Sequence, residues 1–424
     1  MAKVDLKEIK EVGLYGTRSK KQKHLIAIDL AVERGLRLAK PVARIETIAL
    51  KDCHNRVLAQ SIISPIAQPP FNNSAMDGYG IRLDELKGDA PWILDIKGQI
   101  FAGDKQIKSP KHGAVRIFTG GHVPSEIDAV IMQEHVELHG GRVVISKKPK
   151  QGENIRLIGE DIKAGEILVL EGELMSAAHM ALAASCGLSK INVRKKIKIA
   201  YFSIGSELRQ PEEKLEANQI YNSNRYLLTG LLDQAMVEAI DLGSVPDDSD
   251  QLSNVLKRAA LVADIVISVG GILTAQQNQT LGEDKNFRAN LHLLKLAMKP
   301  GKPMLIGKIA NAIYIGLPAN PMAANITFKM IAKPIIDKNA GMKEKPQSNI
   351  SAISSFKRKR RPFRNEYIPV KITGNSSDGT LLIKMIGRGG SAEMLPIAQA
   401  DGFAVIEPGE GFIHVDDRVK FIFN

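Results

Sequence analysis

"DSDQLSNVLKRAALVADIVISVGG", residues 248–271, reads as a capped helix running directly into a strand that ends in two glycines. Helix into strand is half of a βαβ unit, and the flanking sequence supplies the rest. Upstream, "KIKIAYFS" (196–203) is a buried-type strand, "NSNRYLLTGLLDQA" (222–235) a helix and "MVEAIDLG" (236–243) a strand. Downstream, "PMLIGKI" (303–309) and "AIYIGLP" (312–318) read as a further strand pair, and "PMAANITFKMIAKPII" (321–336) as a closing helix. Strands alternating with helices specify a parallel sheet with covering helices. A central parallel-sheet α/β domain is therefore expected over residues 191–338.

Outward from this domain the texture changes. Residues 66–150 are rich in turn formers between short alternating strands such as "AVRIFTG" (114–120) and "DAVIMQEHVEL" (128–138), which predicts a mostly β domain. "LIAIDLAVERGLRLAK" (25–40) has helical periodicity and stops before Pro41. A second helix is predicted over 176–186, with Ser176 as N-cap and Gly187 as its stop. Residues 25–65 and 151–190 together form a discontinuous, helical linking domain. Residues 345–424 read as a small all-β domain whose last strands are "FAVIE" (403–407) and "RVKFIF" (418–423). Residues 1–24 are a basic extension. The fold class is multidomain α/β and β.

With 424 residues, 25% of them charged and 44% apolar, the chain has globular composition and is long enough for several cores. No apolar run reaches the length of a membrane span, and the N-terminus lacks the apolar core of a signal peptide. Two cysteines, Cys53 and Cys186, make no disulfide framework and no metal cluster. A cytoplasmic protein without a membrane role is expected. The net charge of +12 asks for an anionic partner. Nucleic acid is disfavoured, because much of the excess lies in residues 1–24 and in "FKRKRRPFR" (356–364), with no zinc-finger or RNA-binding strand signature beside either. Both runs are read as solvated surface. A small, highly charged ligand would use the same positive field.

In an open parallel sheet the ligand lies beyond the carboxyl ends of the strands. The segments there are "SIGSEL" (203–208), "GSVPDD" (243–248), "SVGGILTAQQNQ" (268–279) and "GLPANP" (316–321), four loops of turn chemistry converging on one edge. Gly270 and Gly271 let a ligand approach the backbone, where free amides hold anions. Lys299 and Lys302 flank Pro300 and Gly301, with Lys295 four residues before Lys299. Ammonium groups beside a Gly-rich loop suit phosphate or another oxyanion. No P-loop is present, and Ser206 in "GSELRQ" lacks the setting of a hydrolase nucleophile. The candidate acids are Asp77, Asp161, Glu207 and Asp247. Carboxylates near phosphate-binding lysines suggest Mg²⁺, which takes few protein oxygens. Asp77 stands out, because "QPPFNNSAMDGYGIR" (68–82) displays it on a backbone full of turn formers. An interface between domains or subunits has to bring Asp77 or Asp161 to the lysines.

"NNSAMDGYGIR", "RIFTGGHVPSEIDAVIMQE", "ENIRLIGEDIKAGE", "NQIYNSNR", "DIVISVGG", "KLAMKPGKPMLIGK" and "GLPANP" occur in this order between residues 72 and 321. In these motifs the chain resembles the molybdopterin molybdenumtransferases, which include the E domain of gephyrin, over about residues 25–424. The resemblance implies a four-domain, elongated homodimer with an active site completed by the second subunit. It also implies a reaction in which adenylylated molybdopterin is hydrolysed with Mg²⁺ while molybdate enters the dithiolene and AMP leaves. The molybdopterin adenylyltransferase is then an expected partner. Carried over residue by residue, Asp77, Asp161 and Glu207 match the family's catalytic acids, and Thr119 the threonine of its TGA motif. Lys295, Lys299 and Lys302 match its substrate-binding lysines, and Pro318 and Pro321 the prolines of its LPGNP motif. Asp247 and Asp248 match an acidic pair that we take as candidate metal ligands. The chain departs from the family pattern at Leu273, Gln276 and Asn278, where the family has serine, glutamate and aspartate. It also departs at Ser206, Ala319 and Ala323, which stand for aspartate, glycine and serine. Lost carboxylates and hydroxyls remove metal ligands and oxyanion donors. Two expectations follow, an active enzyme or a homologue that binds the nucleotide or a partner without turnover.

Overall fold

The computed structural model describes residues 25–105, 110–271, 289–344 and 350–424. The chain forms two compact units, Glu46–Val193 and a second built from Met1–Ile45 with Arg194–Asn424. Among the described residues, no helix is long and apolar enough to cross a membrane.

The second unit contains the α/β domain. Its six-stranded sheet has the order Val237–Val245, Ile197–Ile204, Ile265–Val269, Ala312–Leu317, Pro303–Ile309, Ala289–Lys295. The first four strands are parallel. The last two run antiparallel to their neighbours, so the predicted strand pair is a hairpin-type edge on an otherwise parallel sheet. The helix Ser249–Val262 buries Leu252, Leu256, Ala259 and Ala260, one face at helical spacing. Asp248 caps it, accepting the Gln251 N–H at 2.8 Å. The closing helix is continuous in direction but not in type. Pro321–Thr327 and Lys333–Ala340 are α-helical, and Phe328–Ala332 between them is a π turn. Pro334 has no N–H to donate, which removes a regular bond at this junction.

Helix Ile28–Leu38, expected in the linking domain, falls within the compact unit that also holds Arg194–Asn424. A Cβ on its Gly35 would lie 2.3 Å from Ile335 Cδ1, so the glycine lets the two helices touch. The C-terminal strands close into a small barrel. Asn365–Asn375, Leu381–Met385, Ile350–Ser354, Arg418–Phe423 and Gly402–Ile406 are neighbours in order, and the last pairs back to the first. Phe356, Ile368, Val370, Ile383, Ile406 and Phe421 are in its core. The domain is not purely β, because Leu395–Gln399 forms a short helix. Met298–Lys299, from the lysine turn, adds to the barrel strand Asn365–Asn375.

In the unit Glu46–Val193, a six-stranded sheet has the order Ala129–Met132, Gly78–Ile81, Ala114–Ile117, Trp92–Ile100, Arg142–Ile145, Glu137–His139. The segment 128–138, read as one strand, is two strands joined by a 3₁₀ turn at Gln133–His135. Its partner strand begins at Gly78, paired with Met132, so the ladder ends there and the chain turns. The second predicted helix is Ala177–Ser185, with Ser176 at its N-cap in a capping box completed by His179.

Candidate active site

From the strand Ile197–Ile204 the chain passes to one side, to Val237–Val245, and then to the other, to Ile265–Val269. The strand order reverses between the first and the last of these, and their carboxyl ends leave a crevice. A cleft of about 840 Å³ opens there. Ile204, Glu207, Asp247, Gly270 and Gly271 form its sheet side, and Pro318, Ala319, Asn320 and Ala323 border it. Met298 to Pro303 and the barrel residues Arg364, Gly389, Gly390 and Ser391 complete it. Gly270 has φ 89°, and a Cβ there would stand 2.5 Å from the Ile204 carbonyl oxygen. Only glycine lets the two strand ends come this close.

Of the residues expected here, Glu207, Asp247, Gly270, Gly271, Lys299, Lys302 and Pro318 line the cleft. Lys295 and Pro321 do not. Lys295 ends the antiparallel edge strand and is exposed, and Pro321 opens the closing helix. Asp248 is a helix cap. Leu273, Gln276 and Asn278 lie outside the described residues. Asp247 donates its N–H to Ser206 Oγ at 3.1 Å, so the serine in the GDEL position ties together two of the sheet-end loops.

The basic run 356–364 is not simply solvated surface. Arg364 faces the cleft, and Arg358 is held by the buried carboxylate of Glu366. Arg364 and Ser391 line the cleft and Glu366 pairs with its Lys299, and the sequence singles out none of the three. The available signal was a single acid following six cations within residues 357–364. Ser391 Oγ accepts the Asn320 Nδ2–H at 3.1 Å, which leaves its own proton available to an anion. Lys302 is exposed and lines the same cleft.

A second cluster lies within Glu46–Val193. Asp77 Oδ1 accepts both the backbone N–H and the hydroxyl of Thr119, each at 2.8 Å. The Thr119 amide, then its hydroxyl, holds the Asp77 carboxyl below its ordinary value, and Arg116 adds to the effect. The strand behind Asp77 demands glycine, since a Cβ on Gly78 would lie 2.1 Å from the Ile131 carbonyl oxygen. The loop of Asp161 is strapped to the same segment. Gln68 and Ile162 exchange backbone hydrogen bonds at 2.7 and 3.0 Å, and Gly159 N donates to Pro69 O at 3.0 Å. Ile158 N donates to Asn72 Oδ1 at 2.8 Å. Asp161 is exposed, and among the described residues its carboxylate makes no hydrogen bond or ion pair. Asp77, Thr119 and Asp161 thus sit on loops that hydrogen bonds join. Among the described residues, no group of three or more His, Cys, Asp or Glu side chains is arranged to hold a metal.

Three family models match in succession: the MoeA N-terminal region (domain I and II) at residues 26–187, the "Probable molybdopterin binding domain" at 200–338 and the MoeA C-terminal region (domain IV) at 351–423. A molybdopterin molybdenumtransferase of Haemophilus influenzae is 34% identical over 398 residues, covering 93% of this chain and 98% of that one. Another, from a Nostoc species, is 32% identical and covers 87% of this chain and 86% of its own. The solved molybdopterin biosynthesis moea protein from Pyrococcus horikosii superposes with a TM-score of 0.76 at 28% identity, covering 94% of this chain and 99% of that one. Similarity of this extent spans every region that carries a site residue, and the chain belongs to the molybdopterin molybdenumtransferase family.

Proposed function

We propose that this protein inserts molybdenum into adenylylated molybdopterin with release of AMP, the last step of molybdenum cofactor biosynthesis. The observation that carries the reading is the cleft at the sheet's switch point, where Lys302, Arg364 and the Ser391 hydroxyl face one space. Two cations and a hydroxyl proton suit a tetrahedral oxyanion such as molybdate, with planar guanidinium as the strongest single partner. The part of the cleft beside Gly270 and Gly271 suits the pterin nucleotide, as the switch-point rule leads one to expect.

Asp77 and Asp161 take the role of ionised carboxylates acting at the phosphoanhydride, with Thr119 keeping Asp77 ionised and oriented. A water positioned by a carboxylate gives it a proton and adds to phosphorus, the anhydride bond breaks with its electron pair going to the leaving phosphate oxygen, and AMP departs. Glu207 and Asp247 are exposed carboxylates on the cleft wall, a donor set that suits Mg²⁺ because this ion fills its remaining positions with water and phosphate oxygens. Bound there, Mg²⁺ would supply neutralising charge to the phosphates. Homodimer formation completes the proposal. Phe71, Met76, Leu157 and Ile158, around Asp77 and Asp161, are exposed apolar side chains of the kind an interface covers. A reducing, cytoplasmic setting suits Cys53 and Cys186, both free and buried. An adenylyltransferase would supply the nucleotide.

The test is AMP release from adenylylated molybdopterin with Mg²⁺ and molybdate, using the unaltered chain. Molybdate-dependent turnover is expected. Tight nucleotide binding with no AMP and no molybdenum transferred would leave only a binding protein.

A further inference from the structure

Glu366 is 2% exposed, in a stretch of the barrel strand whose next residues, Tyr367, Ile368 and Val370, are apolar and buried. Three cations converge on its carboxylate. Lys299 Nζ donates at 2.7 Å, Arg358 donates from Nη2 at 2.8 Å and from Nε at 3.1 Å, and Arg361 Nε stands 3.9 Å away. The register makes this meeting obligatory, because Met298–Lys299 runs parallel to Asn365–Asn375 with Lys299 opposite Glu366. Burial opposes the charge on Glu366, but the hydrogen bonds from Arg358 and Lys299 outweigh it, and the carboxyl titrates below its ordinary value. At neutral pH a full negative charge therefore stands directly behind the cleft wall.

Lys299 is shared between two environments. It lines the cleft and is 31% exposed, yet its ammonium is bound to Glu366. An oxyanion entering the cleft competes with Glu366 for this lysine. We infer that Glu366 is a positioning residue and the cleft's internal counter-ion, holding Lys299 while the cleft is empty and yielding it to a tetrahedral oxyanion. The exchange is cheap because Arg358 and Arg361 keep the buried carboxylate paired after Lys299 leaves. Removal of a sole partner would strand the charge and cost far more. Oxyanion affinity is then set by competition and not by the number of cations alone. The inference rests on the proposal that this cleft takes an oxyanion.

The test uses the full chain and molybdate alone, with binding read by equilibrium dialysis at low salt and folding checked by thermal melting. Glu366→Gln frees Lys299 and should tighten molybdate binding by roughly threefold to tenfold, the effect of one charge removed at close range in a partly wet site. Arg358→Gln leaves Glu366 with fewer partners, strengthens its hold on Lys299 and should weaken binding by a similar factor. Arg360→Gln removes the same charge without touching Glu366 and should shift affinity less than Arg358→Gln. Should Glu366→Gln fail to fold, Glu366→Asp, with its shorter reach to Lys299, should still tighten binding. If the Glu366 and Arg358 variants both weaken binding in step with lost stability, Glu366 is only a clamp and the inference falls alone. Absence of molybdate binding by the unaltered chain would remove the oxyanion site, and the inference with it.

Discussion

Asp161 and Asp77 are carboxylates in opposite surroundings. Asp161 is exposed and without a side-chain partner among the described residues, so Asp161→Asn should change stability by no more than about 0.5 kcal/mol. Adenylate hydrolysis should nevertheless fall by roughly a hundredfold or more, the usual scale for a positioned acid or base. Single-turnover AMP release checks this, and an unchanged rate would take Asp161 out of the reaction. Asp77 is the opposite case, tied to Thr119 twice. Its carboxyl is depressed in the folded state, so the stabilisation it brings is present above the ordinary carboxylate value and is lost as pH falls through the depressed one. Thr119→Val keeps the amide donor and removes the hydroxyl. Carbon-detected titration of Asp77 should then show its midpoint moving up toward the ordinary value, and an unmoved midpoint would mean that the hydroxyl contributes nothing. Both residues were legible in their motifs. Their contact, 42 positions apart, was not, because only the pairing of neighbouring strands brings Thr119 to Asp77.

Elements were read well where one periodicity ruled. The helix Ser249–Val262 shows its cap, its buried face and its end in the sequence alone, and Asp248→Ala should lower stability by about 1 kcal/mol, the loss of one N-cap. Denaturant midpoints measure it. A cap without metal duty predicts no accompanying change in Mg²⁺ dependence. The strand Gly78–Ile81 is more demanding, because it is sandwiched between two partners. Gly78→Ala would drive a methyl into the Ile131 carbonyl, and a loss of about 3 kcal/mol or failure to fold is expected. Normal stability would mean that the sheet can shift to admit it. Segment 128–138 reads as one strand only if the polar run Gln133–His135 is passed over, and that run is where the chain turns. The ladder stops at Met132 because the partner strand does. Helix Ile28–Leu38 was recognised as a helix, but no local signal says that Gly35 fits against Ile335.

At the scale of the whole molecule, the loops of Asp77 and Asp161 present Phe71 (36%), Met76 (42%), Leu157 (54%) and Ile158 (58%) to solvent. That much apolar surface beside Asp77 and Asp161 predicts a partner, and a second copy of the chain is the partner proposed. Sedimentation at micromolar concentration should give a dimer, and Ile158→Glu should shift it toward monomer. A monomeric unaltered chain would overturn the shared-site proposal. By itself the sequence determined the α/β rhythm from 196 to 336, the sheet-end loops and the lysine turn, because period and turn chemistry are local properties of the chain. Tertiary structure alone decided which of those charges are paired among the described residues. Lys299 reads like Lys302 in sequence, yet a barrel strand begun 66 residues later places Glu366 beneath it. Arg364 reads like surface and is turned to the cleft by the same strand. Pairing across long stretches of chain fixes such neighbours, and a charge's work depends on its neighbours.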